Sequence, residues 1–246
     1  MSKFLFADRD HHNDTMRWLL VLKEKNISFE PKHLKDQIYI DKIEAFQNEI
    51  IKTKDISFAY FFSCEFFHKV YLMQKVILES KNPQYAFLFA QNVKGSDTQA
   101  LQKIVIESNK IKYICKFGCF IANADRKLIE KIISNSKNAK YAHMFLKHVK
   151  HANVDLLKQP IFKAKKPRYL FELAKHISDK KDLAIIEDMI IEQQSFLYMR
   201  LLASKVKNID IEKLENAIIE SGNMEELKKF AKCVRKSKMR GFLLIA

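Results

Sequence analysis

Residues 83–110 read PQYAFLFAQNVKGSDTQALQKIVIESNK and predict two short helices joined by a turn, and the fold assignment starts from this stretch. In the first segment, Tyr85, Phe89 and Val93 stand at i, i+4 and i+8, so they share one helical face. Pro83 suits the first turn of that helix, because a first-turn N–H has no partner within the helix. The segment is therefore predicted to be an amphipathic helix with one buried face.

The second half of the same stretch carries the signals of a turn and of a new helix. Gly95 suits the C-terminal cap of the first helix, and Asp97 or Thr98 can cap the second one. Leu101 and Val105 then belong to the apolar stripe of the second helix. The two segments together are predicted to form an α/α hairpin.

Apolar residues recur along most of the chain at a spacing of 28 residues, with one interval of 29. The first series is Phe61, Phe89, Phe117, Phe145, Leu173, Leu202 and Phe230. The second series is Val93, Ile121, Val149, Ile177, Val206 and Val234. The third and fourth series are Leu101, Ile129, Leu157, Ile186 and Leu214, and Ile77, Val105, Ile133, Ile161, Ile190 and Ile218. Several series in one register indicate a tandem repeat.

The repeat predicts an all-α protein, built as an α/α-hairpin superhelical solenoid of about seven to eight units with an N-terminal capping segment. Helices of about ten residues are marginal alone, and stacking on the next hairpin supplies an apolar partner. The cap is expected at residues 1–26 and the solenoid at residues 27–246. The expected units are 27–54, 55–82, 83–110, 111–138, 139–166, 167–195, 196–223 and 224–246. The extra residue of the longer unit is expected in the turn between Ser178 and Asp182.

The pattern resembles the broad class of short α/α-hairpin repeats that includes tetratricopeptide-like and HEAT-like solenoids. The resemblance covers residues 55–240 and rests on the period and the apolar series. It departs from the tetratricopeptide pattern in length, because that repeat has about 34 residues, and in lacking that motif's Trp and Gly positions. By analogy, the class implies a groove-like surface that binds a macromolecule.

Composition limits the compartment and the fold class. The 246 residues include only four Gly and four Pro, so the tight turns that a sandwich or barrel needs are scarce. Cys64, Cys115, Cys119 and Cys233 follow no disulfide framework, which favours a reducing compartment. No secretory signal is visible, and no apolar run approaches the roughly 20 residues of a membrane span. We expect a cytoplasmic protein without a membrane partner.

The basic excess is uneven along the chain. The net charge is +15, and 37 of the 44 cationic residues are Lys. Residues 101–168 hold 16 Lys and Arg against 4 Asp and Glu, whereas residues 1–100 are nearly balanced. Such a distribution indicates an anionic partner. The scarcity of Arg disfavours base-specific recognition, since Arg is the preferred bidentate donor to phosphates and bases.

Basic residues recur late in the predicted first helices and just beyond them, which would place them in a column on neighbouring hairpins. They are Lys147, His148, Lys150, Lys175, His176, Lys205, Lys207, Lys232, Arg235 and Lys236. A column of cations is expected of a surface that binds a phosphate backbone. The alternative interpretation is a solvated face in a Lys-rich protein.

Two ring series have both a functional and a structural interpretation. A Tyr residue opens five successive units: Tyr85, Tyr113, Tyr141, Tyr169 and Tyr198. These rings could receive bases, or they could pack between hairpins with the hydroxyl group at the rim. His148 and His176 occupy the same repeat position, with His143 and His151 nearby, and could hold zinc. No acidic residue is patterned with them, which disfavours a metal.

Two further clusters of side chains also have both a functional and a structural interpretation. Cys115 and Cys119 could supply two metal ligands, or they could pack as reduced thiols. Residues 8–14 form the densest cluster of acidic and imidazole groups, which could bind a divalent metal or form a polar turn before a helix cap. No phosphate loop, dinucleotide fingerprint, nucleophile elbow or HExxH motif occurs. No catalytic residue, metal site or cofactor is therefore predicted.

The sequence leads to three functional hypotheses. The first is a non-catalytic helical-repeat scaffold that engages a macromolecule, foremost a protein. The alternative is largely sequence-independent nucleic-acid binding through a basic surface in residues 101–240. The third is a metal-dependent hydrolase that uses residues 8–14. The apolar tail, which includes Phe242, Leu243, Leu244 and Ile245, is expected to fold back or to form a homodimer contact.

Overall fold

A computed structural model describes residues 17, 20–25, 27, 37–66, 69–239 and 241. Helices joined by short turns make up this part of the chain, and no strand occurs within it, which confirms the predicted all-α class. None of its helices is long and apolar enough to cross a membrane. Most of the predicted cap at residues 1–26 lies outside the described residues.

The chain divides into two compact units, residues 1–124 and residues 125–246. The labelled helices of unit 1 are α1 (Gln37–Thr53), α2 (Ile56–Phe66), α3 (Val70–Ser80), α4 (Pro83–Asn92), α5 (Thr98–Glu107) and α6 (Ile111–Phe120). Those of unit 2 are α7 (Arg126–Asn135), α8 (Ala139–His148), α9 (Val154–Ala164), α10 (Pro167–Ala174), α11 (Lys180–Glu192), α12 (Phe196–Lys205), α13 (Ile211–Glu220) and α14 (Met224–Cys233). The sequence gives no signal for the boundary at residue 124.

Short polar side chains cap the N-termini of most of these helices. The side chain of Asn82 accepts hydrogen bonds from the backbone N–H groups of Gln84 and Tyr85, and Pro83 is the first residue of α4, as predicted. Asp97 caps α5 in the same way. Equivalent caps begin the later odd-numbered helices: Asp125, Asn153, Asp179 and Asp210. Each cap satisfies backbone donors that have no partner within the helix, so the short helices start at defined residues.

The periodic apolar residues form the core. All members of the first, third and fourth series are 0% exposed, including Phe61, Phe145 and Phe230. In the second series, Val93, Ile121, Val149 and Val234 are at most 7% exposed, whereas Ile177 and Val206 are half-buried. Each series therefore lies inside the packed helices.

The even-numbered helices of unit 2 pack side by side, because α8 contacts α10, α10 contacts α12 and α12 contacts α14. The fifth residue of one helix meets the third residue of the next at each interface. The His143 ring stacks on Tyr169 with centroids 4.6 Å apart, and Phe171 lies 6.1 Å from Tyr198. Arg200 Nη1 lies 2.8 Å from Glu226 Oε2 at the third interface. The same offset at all three interfaces, with one intervening helix and two short turns between successive members, indicates that the four helices run in the same direction.

A buried Gln or Glu side chain links one odd-numbered helix to the start of the next one. Gln74 Oε1 accepts a hydrogen bond from the backbone N–H of Asp97 at 2.8 Å, and Glu187 Oε1 accepts one from Asp210 at 2.9 Å. Buried Glu130 does the same by accepting from Asn153 N, and buried Glu215 accepts from Lys238 N and Met239 N, which follow α14. Burial raises the pKa of Glu130, and the Asn153 N–H partly offsets this effect.

Lys158 stands at the same position of the 28-residue register, 28 residues after Glu130 and 29 before Glu187. Its Nζ lies 2.8 Å from Asp182 Oδ2 and 2.9 Å from Asp155 Oδ1. The hydrogen bonds to Asp182 and then to Asp155 raise the pKa of Lys158. The polar link between α9 and α11 is therefore kept, but it joins two side chains instead of a side chain and the backbone.

We expect Glu187→Ala to destabilise the fold by about 1–3 kcal/mol, because the partly buried Asp210 N–H loses its acceptor. Glu187→Gln keeps an acceptor oxygen, as Gln74 does at its own junction, and is expected to lose less. The free energies of unfolding of both variants can be measured by urea denaturation. Equal stabilities for the two variants would contradict a role for this hydrogen bond.

Residues with left-handed backbone follow the odd-numbered helices. They are Lys54, Lys81, Asn109, Lys137, Lys165, Gln194 and Gly222, with φ between 48° and 70°. Only the last is a glycine, although a side chain at such a φ costs about 1–2 kcal/mol. A Ser precedes several of them, and its hydroxyl donates to the carbonyl three residues earlier, as in Ser136 to Ile133 at 2.6 Å. These contacts hold the turn in a conformation that the side chains disfavour.

Lys137→Gly is expected to raise the free energy of unfolding by about 0.5–1 kcal/mol, because glycine adopts φ 54° without a Cβ clash. Gly222→Ala is the reverse exchange and should lower it by about the same amount. No atom lies within 4 Å of the added Cβ there, so only the backbone conformation is tested. Thermal unfolding followed by circular dichroism measures both changes, and a stabilising Gly222→Ala would refute the explanation.

Candidate functional site

The ten basic residues predicted as a binding surface are all exposed and all lie in unit 2. The predicted range 101–240 crosses the boundary between the units, so its first part belongs to unit 1. Lys147 and His148 end α8, Lys205 ends α12, and Lys232 lies in the last turn of α14. The others follow these helices or α10 within a few residues.

Because α8, α10, α12 and α14 run in the same direction, their C-terminal ends lie along one edge of a helical layer. We call the ten residues at these ends the basic edge. Neighbouring packed helices are about 8–10 Å apart, so each helix end brings its cations within reach of the next group. The helix dipole also stabilises cations at the C-terminal ends of helices, so the position of the basic edge has a structural explanation as well as a functional one.

Carboxylates pair with few cations of the basic edge. Glu172 Oε1 lies 2.8 Å from Lys175 Nζ and 4.0 Å from His176 Nε2. Seven members of the edge form no salt bridge with any acidic residue that the structure describes: Lys147, Lys150, Lys205, Lys207, Lys232, Arg235 and Lys236. Asp179 and Asp210 lie in the following turns, but their carboxylates cap α11 and α13. The charge of the edge is therefore mostly uncompensated.

The helix dipole alone does not explain the basic edge, because the equivalent helix ends of unit 1 carry few cations. Gln91 and Asn92 end α4, and Cys119 and Phe120 end α6. Lys94, which follows α4 at the position that Lys150 has after α8, is an exposed cation near one of these ends. The equivalent helix ends therefore carry fewer cations in unit 1 than in unit 2. Unit 2 as a whole carries 26 Lys and Arg against 15 Asp and Glu.

His143 lies beneath the basic edge, one turn before Lys147. It is 8% exposed, and burial lowers its pKa, which Glu172 partly offsets and Arg168, Lys147 and Lys175 lower further. Burial also lowers the pKa of His176. The imidazole of His143 is therefore neutral near pH 7, and its stacking on Tyr169 does not add to the positive charge of the edge.

A lowered pKa means that protonation of His143 favours the unfolded chain, whose imidazole pKa is about 6.5. The contribution of the neutral His143 ring to the free energy of unfolding is therefore complete above about pH 6.5. It is lost as the pH falls through the pKa of His143 in the folded protein, which is lower. We expect the free energy of unfolding to fall more steeply from pH 7 to pH 5 in the wild type than in His143→Phe. Phe retains a ring, as Phe171 does against Tyr198. Identical pH dependence in urea titrations would contradict this prediction.

Tyr85, Tyr113, Tyr169 and Tyr198 each contact another helix, as one of the two interpretations stated. Tyr85 is 7% exposed and meets Tyr60 edge-on at 5.9 Å, and the Tyr113 hydroxyl donates to Gln84 Oε1 at 2.9 Å. The other three are half-buried. The rings of Tyr169 and Tyr198 lie against rings of the preceding even-numbered helix, which disfavours their use as a stacking platform for bases.

The candidate metal ligands stay apart within the described residues. No group of three or more His, Cys, Asp and Glu side chains there could hold a metal ion. The four cysteines are thiols, and Cys115 Sγ lies 3.9 Å from Cys119 Sγ, an interaction that together with burial raises the pKa of Cys115. The clusters at residues 8–14 and 242–245 lie outside the described residues.

A second surface feature was missed by the sequence reasoning. Leu128 on α7, Leu156 on α9 and Ile185 on α11 are 42%, 41% and 41% exposed. We call them the apolar row. α7 contacts α9, and the Lys158–Asp182 ion pair joins α9 to α11, so the three side chains lie on neighbouring helices. Each precedes a core residue of the third series by one position, so the sequence shows that the three recur with the repeat, although it does not show that they are exposed.

Comparison with known proteins gives no relative for this chain: no family model, no curated protein and no solved structure matches it.

Proposed function

We propose that the chain is a non-catalytic helical-repeat protein, an α/α-hairpin solenoid of seven to eight units, that binds a protein partner over unit 2. The repeat is supported by the starts of α4, α6, α8, α10, α12 and α14, which follow one another at 28 or 29 residues. The constant offset between the even-numbered helices of unit 2 also supports it. Stacked hairpins of this kind present an extended surface that needs little ordering on binding.

The observation that carries the protein-binding proposal is the apolar row. Leu128, Leu156 and Ile185 occupy one register position on three helices, yet each is about two-fifths exposed. Half-buried apolar side chains lie one turn further on, at Ile132 on α7 and Met189 on α11. Contiguous exposed apolar side chains mark protein–protein contacts more often than isolated ones do. A partner that covers the row would bury apolar area that the fold itself leaves in water.

The test places a photo-crosslinking amino acid at Leu156 in the full chain, in cells that produce it. Lys163, exposed on the same helix, is the matched control position. We expect a discrete protein adduct from position 156 that is absent from position 163. Leu128→Ser with Ile185→Ser should weaken that adduct at least about tenfold, because each buried apolar side chain is worth about 1–2 kcal/mol.

Folding of these variants is expected to change little, since exposed positions tolerate substitution within about 0.5 kcal/mol each. Thermal unfolding of the doubly substituted chain checks this. The proposal would be overturned if positions 156 and 163 gave the same adducts, if only nucleic acid were attached, or if the two serine substitutions left the adduct unchanged.

A further inference from the structure

The basic edge is a second surface of unit 2, and its chemistry differs from that of the apolar row. Its ten members are Lys, Arg and His side chains at the ends of four helices, and the Val residues between them, Val149, Val206 and Val234, are buried or half-buried. Protein–protein interfaces have apolar and aromatic centres from which Lys is depleted. An acidic protein surface is therefore a poor match for the edge, whereas a phosphate backbone needs only repeated cations.

The length of the basic edge fits a duplex. Three intervals between four packed helices span about 24–30 Å, and one turn of B-form DNA spans about 34 Å. A duplex lying along the edge would thus meet cations from each of the four helix ends within one turn.

Single strands are a poorer match because they are held by exposed aromatic rings on which bases stack. Tyr169 and Tyr198 are the third residues of α10 and α12, about 9 Å along the helix axis from the last turn. Their faces are occupied by His143 and Phe171. The edge itself therefore offers charge without stacking, which suits a base-paired nucleic acid.

We propose that the basic edge binds the phosphate backbone of a nucleic-acid duplex without reading its sequence. Lys supplies eighty per cent or more of the cationic side chains in this protein, and a Lys ammonium is a point charge rather than a bidentate reader of base edges. This activity is independent of protein binding at the apolar row, because it uses different helices and different side chains.

Glu172 gives the proposal an internal control. Its carboxylate, 13% exposed, pairs with Lys175 and His176 and is the acidic group that the structure places against the edge. Glu172→Gln removes one negative charge and releases Lys175, so it should tighten duplex binding. A purely structural role of Glu172 would leave the affinity unchanged or lower it through partial unfolding.

The experiment measures binding of the full chain to two labelled duplexes of unrelated sequence, each about 20 base pairs or two helical turns long. Fluorescence anisotropy is recorded over a series of salt concentrations. We expect equal affinities for both duplexes and a steep linear fall of log K with log salt concentration. Lys147→Gln with Lys150→Gln should weaken binding about tenfold or more and reduce the salt slope by about 2.

Two further variants complete the design. Lys131→Gln with Lys163→Gln removes two exposed cations from the odd-numbered helices α7 and α9 and should leave the affinity and the slope unchanged. Lys205→Gln with Lys207→Gln repeats the loss at α12. No duplex binding at low salt, equal losses in the edge and control variants, tighter binding of a single strand, or equal binding of polyglutamate would each overturn the proposal. Loss of the apolar-row adduct would not affect it.

Discussion

The hydrogen bond from a backbone N–H to the buried Gln or Glu of the preceding odd-numbered helix sets the geometry on which the other contacts depend. Apolar side chains attract one another without fixing a distance, whereas a buried carboxylate accepts an N–H only within a narrow range of length and angle. At Glu187 this bond reaches the residue that caps α13. The start of each odd-numbered helix is therefore held in place against the preceding odd-numbered helix, and the core side chains of the four apolar series can pack in register.

Because the acceptor is buried, breaking this hydrogen bond costs more than breaking an exposed one. Glu187 and Glu215 are 3% and 2% exposed, so no water replaces a lost partner easily. A slipped register would leave a buried carboxylate and a buried N–H unpaired together, at a cost of several kcal/mol. The same spacing places the fifth residue of one even-numbered helix against the third residue of the next. Ring stacking at His143 and ion pairing at Arg200 therefore follow from a register that the buried acceptors define.

The sequence predicts the apolar core and the helix starts well, because both depend on local pattern. Phe61, Phe145 and Phe230 are buried where the 28-residue period places them, and Pro83 starts α4. The buried acceptors follow the same period, but they are Gln at one position and Glu at others, and Lys158, a donor, takes one position of the series. A search for identical or apolar residues therefore does not detect them.

The candidate surfaces are harder to predict because exposure depends on tertiary packing. The basic edge was predicted residue by residue, since Lys and His in a helix end rarely become buried. Leu128 and Leu156 were not predicted, because an apolar residue next to a core position gives no local sign of being left in water. The boundary at residue 124 depends on contacts between distant residues and has no mark in the composition.

The interfaces between α8, α10, α12 and α14 share one geometry but not one chemistry. A His ring faces Tyr169, a Phe ring faces Tyr198, and a guanidinium group faces a carboxylate at Glu226. Removing the segment from α12 to α13 would bring Phe171 against Glu226 and leave a carboxylate beside an aromatic face. The two ring pairs can exchange partners, but the Arg200–Glu226 ion pair cannot exchange with either of them, which restricts the loss of the hairpin that contains α12.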